Sequence, residues 1–247
     1  SSAIIKATGH EQAGLGAVAA LTLLLQARCD PSFVDKNGET PAIVAARHES
    51  TDALSLLLEA KCDPKIVSKD GGSSVLEAAA RKSADALKML LEARCDPSMA
   101  DKAGNTPVII AAGNDCLDAL KLLLEARANP RIANKDGSGA IIKAAATGHV
   151  DALELLLEEK CDPCMADEEG NTPIITAAGK GRTDIVKLLL EARGDPKIVN
   201  KHGQNAVFEA TRGKDAESLK VLLEARCDPH SVDENGFTAV LAAARTG

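Results

Sequence analysis

Tryptophan and tyrosine are absent from the 247 residues, and phenylalanine occurs only as Phe33, Phe208 and Phe237. A core must therefore be built from leucine, isoleucine, valine and alanine, which favours close-packed helices over sheet. The same lack removes the stacking platforms that single-stranded nucleic acid needs. With 29 basic against 36 acidic residues, a net charge of −7 and both signs interspersed, no polyanion-binding surface is expected either. No apolar run reaches the ~18–20 residues of a membrane span, and the amino terminus lacks the pattern of a signal peptide. Membrane insertion is therefore not expected.

Catalytic constellations are missing too. His10, His48, His149, His202 and His230 are scattered, without a repeat-fixed serine, cysteine or carboxylate beside them. The glycines recur at a fixed interval, as turn residues do, and form no phosphate-binding loop. Cys161-Asp-Pro-Cys164 has zinc-ligand spacing, but no second pair of cysteines or histidines accompanies it. No enzyme activity, cofactor or metal is expected.

What is present is a period. Gly38, Gly71, Gly104, Gly137, Gly170, Gly203 and Gly236 are each 33 residues apart. The triplets Leu56-Leu57-Leu58, Leu122-Leu123-Leu124, Leu155-Leu156-Leu157 and Leu188-Leu189-Leu190 keep the same phase, as do five Asp-Pro pairs from 63–64 to 228–229. Self-similarity at this interval is the mark of a repeat architecture.

In the unit 101–133, Asp101-Lys102-Ala103-Gly104 reads as a turn, with glycine free to take positive φ. Thr106-Pro107 opens a short helix, threonine as N-cap and proline at the first helical position. It ends near Gly113-Asn114. A second helix runs from about Cys116 to Ala126 and is stopped by Asn129-Pro130. The cap position is filled elsewhere by Thr40, Ser73, Gly139, Thr172, Asn205 and Thr238. One unit cannot bury its own apolar stripe, so neighbours must stack. The pairs Ala45-Ala46, Ala78-Ala79, Ala111-Ala112, Ala144-Ala145 and Ala177-Ala178 suit close helix contact.

A two-repeat alternation overlies this. Asp35, Asp101, Asp167 and Asp233 alternate with Ser68, Asn134 and Asn200. Four residues after the cap, Val44, Ile110, Thr176 and Ala242 alternate with Glu77, Lys143 and Glu209. Duplication of a 66-residue pair accounts for this, and a partner that repeats every two units is the functional alternative.

The pattern Asp-x-x-Gly-x-Thr-Pro-x-x-x-Ala-Ala, then Leu-Leu-Leu-Glu and Asp-Pro, resembles the ankyrin repeat over essentially the whole chain. The resemblance implies an all-α fold, an ankyrin-repeat solenoid of stacked helix-turn-helix units with protruding β-turns. It frames a single array over 1–247: a partial repeat 1–34, full repeats 35–67, 68–100, 101–133, 134–166, 167–199 and 200–232, and a partial repeat 233–247. Two departures stand out. The family histidine after Thr-Pro is replaced by Ile43, Ile109 and Ile175. The family glycine after the second helix is replaced by Arg28, Lys61, Arg94, Arg127, Lys160, Arg193 and Arg226, each of which costs on the order of 1 kcal/mol if the left-handed conformation is kept. Residues 9–16 hold an insertion and are expected to form a flexible loop.

Cys29, Cys62, Cys95, Cys161 and Cys227 share the position of a buried family alanine, which implies small apolar side chains packed between units. Equivalents roughly 10 Å apart lie beyond the ~7 Å reach of a disulfide. Reduced thiols are expected, hence an intracellular, reducing compartment such as the cytoplasm.

In function, the resemblance implies a protein–protein interaction scaffold or adaptor that binds a partner in a concave groove. The alternative is a structural subunit or an ankyrin segment of a larger enzyme, channel or assembly, contacting through its convex face and open ends. The family's groove positions fall here on Lys36, Asn37, Arg47, Lys69, Asp70, Arg81, Lys102, Asn105, Asn114, Lys135, Asp136, Lys180, Lys201 and Arg212. Across all groove positions, ten bases face six acids. A locally positive groove is expected, suited to an acidic or extended polar segment of a protein partner, with no nucleic acid and no membrane involved.

Overall fold

A computed structural model describes Ala3 and residues 14–246. The described residues form fourteen helices and no strand, with isolated antiparallel bridges at Ala133–Gly139 and Val232–Thr238. The chain divides into two compact units, Ser1–Asn129 and Pro130–Gly247.

The first unit contains the helix Gly14–Gln26 and three helix pairs: Pro41–Arg47 with Thr51–Glu59, Ser74–Ala80 with Ala84–Glu92, and Pro107–Gly113 with Leu117–Glu125. In the second unit the pairs are Ala140–Thr147 with Val150–Glu158, Pro173–Gly179 with Thr183–Glu191, and Ala206–Arg212 with Ala216–Glu224, followed by Ala239–Thr246. Within each unit, first helices pack on first helices of the next repeat and second helices on second. The alanine pairs are buried and let the short helices approach closely. Leu54 and Leu57, Leu87 and Leu90, Leu120 and Leu123, and Leu153 and Leu156 are fully enclosed, each contributing ~1.5–3 kcal/mol of apolar burial.

Five of the seven expected caps act through their side chains, while Thr172 makes no such bond and Gly139 has no side chain to make one. Thr40, Ser73, Thr106 and Asn205 accept from the backbone N–H groups of Ile43, Leu76, Ile109 and Phe208 at 2.9–3.3 Å. These bonds satisfy donors that a helix start leaves over. The second helix of unit 101–133 runs Leu117–Glu125 between its caps Cys116 and Ala126, where the sequence places it, but Asn129-Pro130 is not what stops it. The stop is the turn that follows each second helix. In repeat 35–67, Cys62 N–H donates to Leu57 C=O at 3.0 Å and Lys61 N–H to Leu58 C=O at 2.9 Å, which closes the helix end before any proline is reached. Residues 14–16 of the expected loop are helical, continuing the helix Gly14–Gln26 toward the amino terminus. Residues 9–13, with His10, lie outside the described residues.

The closing turn places all seven family-glycine substitutes in the left-handed region, with φ from 58° at Arg226 to 65° at Arg193. An L-residue there costs about 1–2 kcal/mol, while glycine gives up about 0.5–1 kcal/mol of extra chain entropy on folding. The first effect wins. Arg94→Gly is therefore expected to stabilise the chain by about 0.5–1 kcal/mol in urea unfolding followed by circular dichroism. A less stable variant would contradict this account of the turn.

The cysteines follow the same framework. Cys62, Cys95, Cys161 and Cys227 are buried, but Cys29 is half-buried. Cys161 and Cys227 lie beneath the carbonyls of Pro130 and Pro196, 31 residues earlier. Burial pushes the thiols of Cys62, Cys95, Cys161 and Cys227 up to about 11. Because the folded value exceeds the unfolded one of ~8.5, this contribution to stability is complete below that pH and is lost as pH rises toward 11. A bulky thiol reagent at neutral pH is expected to label half-buried Cys164 first and to reach those four only on unfolding. Labelling of Cys62 or Cys95 at the rate of Cys164 would refute the packing.

Candidate functional site

The turn tips are built by one side chain each. Asp35 Oδ1 accepts from the N–H groups of Asn37 and Glu39 at 2.7 and 2.9 Å, and Asp101, Asn134, Asp167, Asn200 and Asp233 repeat the arrangement. Ser68 Oγ manages the second of these bonds, to Gly72 N–H at 2.9 Å. The Asp/Ser/Asn alternation thus conserves a side-chain acceptor that pins the loop to itself.

Successive tips are then tied by backbone. Lys69 N–H donates to Asn37 C=O at 2.8 Å and Lys102 N–H to Asp70 C=O at 3.3 Å in the first unit. In the second, Glu168 donates to Asp136, Lys201 to Glu169 and Glu234 to His202, each at 2.9 Å. These bonds link neighbouring turns although the family histidine is absent. They also close-pack the glycines: a Cβ on Gly137, at φ 73°, would lie 2.7 Å from Glu168 N.

On this scaffold Lys36, Asn37, Lys69, Asp70 and Lys102 project from consecutive tips of the first unit, all exposed. Exposed Arg81 and Asn114 stand at first-helix ends, Asn114 Nδ2 donating to Ala80 C=O at 3.2 Å. Asn105 is half-buried and its Nδ2 donates to Asp101 at 3.0 Å. Exposed Lys135, Asp136 and Lys201 lie on tips of the second unit, with Lys180 and Arg212 at helix ends.

Two of the bases are not free. The Arg47 guanidinium donates to Glu77 Oε1 through Nε and Nη2 at 3.1 and 2.9 Å, and to Glu39 as well. Its carboxylate partners hold the Arg47 charge even more firmly than usual. Arg212 Nη2 donates to Glu209 Oε2 at 2.7 Å. Glu77 and Glu209 belong to the alternating column of the first helices, which the family positions leave out. The alternation itself was the signal that could have brought them in. Counting that column adds Lys143, Glu77 and Glu209, so eleven bases face eight acids and the positive excess shrinks. His202, for which the sequence shows no repeat-fixed partner, nonetheless has carboxylates beside it. It stands between Glu169 at 3.5 Å and Glu234 at 3.2 Å, because each tip abuts the next.

In the second unit, the helices Pro173–Gly179 and Ala206–Arg212 and the tips beside them enclose a pocket of about 300 Å³, lined by Glu169, Asn171, Thr176, Gly179, Gln204 and Glu209 among others. Its lining is mostly polar. Among the described residues no His, Cys, Asp or Glu cluster has a metal-binding arrangement, and no helix is long and apolar enough to cross a membrane.

A family model for ankyrin repeats in three copies matches residues 10–101, 75–167, 108–200 and 142–233. No curated protein matches the chain. Among solved structures, the crystal structure of the human ASB11 ankyrin repeat domain aligns with a TM-score of 0.77 at 23% identity, covering 83% of this chain and 92% of that one. That likeness concerns the fold. The matched residues, the repeat period and the stacked helix pairs lead to one conclusion: the chain belongs to the ankyrin repeat family.

Proposed function

We propose that the chain is a scaffold or adaptor that binds an extended polar or acidic segment of a partner protein along its tips and first-helix ends. Ankyrin repeats are generally protein–protein interaction modules and typically non-catalytic. The observation that carries the specific reading is the series Lys36, Lys69 and Lys102, exposed on consecutive tips whose backbones are hydrogen-bonded in succession. Fixed backbone with exposed cations at regular spacing suits an extended chain bearing carboxylates. The unbroken 33-residue phase through residues 129–130 supports treating the repeats as a single array. Seven free thiols support a reducing, intracellular compartment.

Charge reversal of Lys69, Arg81, Lys102 and Lys135 to glutamate tests the reading, with partner affinity expected to fall and its salt dependence to change. A second reading, contact through helices outside the groove as part of a larger assembly, is favoured by the exposed apolar side chains of Leu23 and Leu223 on second helices. Unchanged binding in the charge-reversed chain would select it.

A further inference from the structure

Two places four repeats apart, one in each unit, share a carboxylate and differ in its arginine: Arg47 with Ala80 in the first, Gly179 with Arg212 in the second. In the first unit, Arg47 ends the helix Pro41–Arg47 and pairs with Glu77 on the first helix of the next repeat, and with Glu39 on the turn before its own. Four repeats on, Glu39 becomes Asn171, Arg47 becomes Gly179 and Glu77 becomes Glu209. The carboxylate is kept and the guanidinium that faced it is gone.

Glu209 shows the consequence. Its side chain is only 7% exposed. Arg212 satisfies Oε2, but Oε1 has no hydrogen-bond partner. Burying a carboxylate oxygen without a donor is unfavourable. The side chain that would be the counterpart of Arg47 is missing, and Glu209 lies against Gly179 instead. A Cβ built on Gly179 would lie 2.7 Å from Glu209 Oε2, so the carboxylate rests against bare backbone. The pocket that begins there measures about 300 Å³, at the lower end of the ~300–1,000 Å³ range of small-ligand sites. Asn171 lines it, and its Oδ1, which already accepts from Asn200, retains capacity for a second donor.

We propose that this pocket takes an arginine side chain of the partner protein, its guanidinium pairing with Glu209 as Arg47 pairs with Glu77. The terminal torsion of glutamate is soft, so a small rotation turns Oε1 toward the incoming donor. A guanidinium suits the place better than an ammonium because its planar fork spans two acceptors, as Arg47 spans Glu39 and Glu77. Of the other cations at the rim, Arg212 is already paired with Glu209, and exposed Lys180 is screened by solvent. Glu169 adds a second carboxylate to the lining. The proposal rests on the reading of the groove as the docking face. It adds one basic anchor to the carboxylates that the tip lysines attract.

The probe is N-acetyl-arginine amide, titrated into the whole chain and followed by amide proton–nitrogen NMR, with N-acetyl-citrulline amide as the neutral isostere. Saturable shifts are expected at Thr176, Gly179 and Glu209, with a Kd of about 1 mM and citrulline binding at least ~10-fold more weakly. Amides around Glu77 should not respond, since Arg47 fills that place. Glu209→Gln is expected to weaken binding about 10-fold. Gly179→Arg, which supplies the guanidinium from within the chain, should abolish binding while circular dichroism stays unchanged. Absence of saturable shifts at the pocket, an equal response to citrulline, or unaltered binding by folded Gly179→Arg overturns the proposal. If Glu209→Gln unfolds, the glycine variant decides alone. Partner binding separates the two readings. Loss of affinity on charge reversal but not on Gly179→Arg leaves the groove and removes the arginine. The opposite pattern leaves the pocket and removes the groove.

Discussion

Replacing Gly137 with alanine is expected to destabilise the chain by about 3 kcal/mol, whereas Gly236→Ala should cost only about 1 kcal/mol. Both glycines sit at the same turn position with nearly the same backbone, φ 73° and 76°. Each alanine therefore incurs the same left-handed strain, roughly 1–2 kcal/mol, less the gain of about 0.5–1 kcal/mol from a stiffer unfolded chain. They differ in surroundings. The new methyl at 137 would meet Glu168 N at 2.7 Å and the Asp167 backbone at 3.0 Å, while nothing lies within 4 Å of a methyl at 236. The clash at 137 is with backbone, so it cannot be relieved by a rotamer. The next tip must move, and that strains the 2.9 Å bond from Glu168 N–H to Asp136 C=O. Losing a bond of that kind with the attendant strain accounts for a further ~2 kcal/mol. Urea unfolding of the two variants beside the parent chain measures the difference. Equal losses would mean that the tips are not tightly packed on one another.

The same tip geometry shows which features the sequence could reveal. The helix pairs, the caps and the turn glycines depend on residues within five or six positions, and each has its own chemical sign. Thr106-Pro107 and Gly104 are readable because one residue type satisfies one local backbone need. The replacement of glycine by arginine or lysine after each second helix was readable as a strain, and the φ of 60° at Arg94 bears it out. The end of the second helix near Ala126 was readable too, but not its cause, which is backbone bonds to Leu57 and its equivalents rather than the proline further on. Nor were the pairs made by Glu77 and Glu209 readable. Whether an arginine seven residues after a cap turns to the next repeat, as Arg47 does, or back to its own helix, as Arg212 does, depends on what occupies the neighbouring column. Periodicity makes repeats look equivalent, and those two arginines are equivalent in position only. The groove residues taken from the family pattern remain a proposal, resting on the exposure of their cations.

The central claim is that partner recognition runs along the tips and first-helix ends, and one comparison tests it most directly. The parent chain and the variant with Lys69, Arg81, Lys102 and Lys135 reversed to glutamate are titrated against the same captured partner protein at several ionic strengths. All four side chains are exposed, so the fold should survive, as unchanged circular dichroism and unfolding would show. An exposed ion pair contributes roughly 0.2–1 kcal/mol, and reversal replaces attraction with repulsion. Four together are expected to lower affinity about 100-fold at low salt, largely through slower association. The gap between the two chains should narrow as salt is added, because exposed charges are screened over ~10 Å at 0.1 M. Equal affinity and equal salt dependence in a folded variant would contradict the claim.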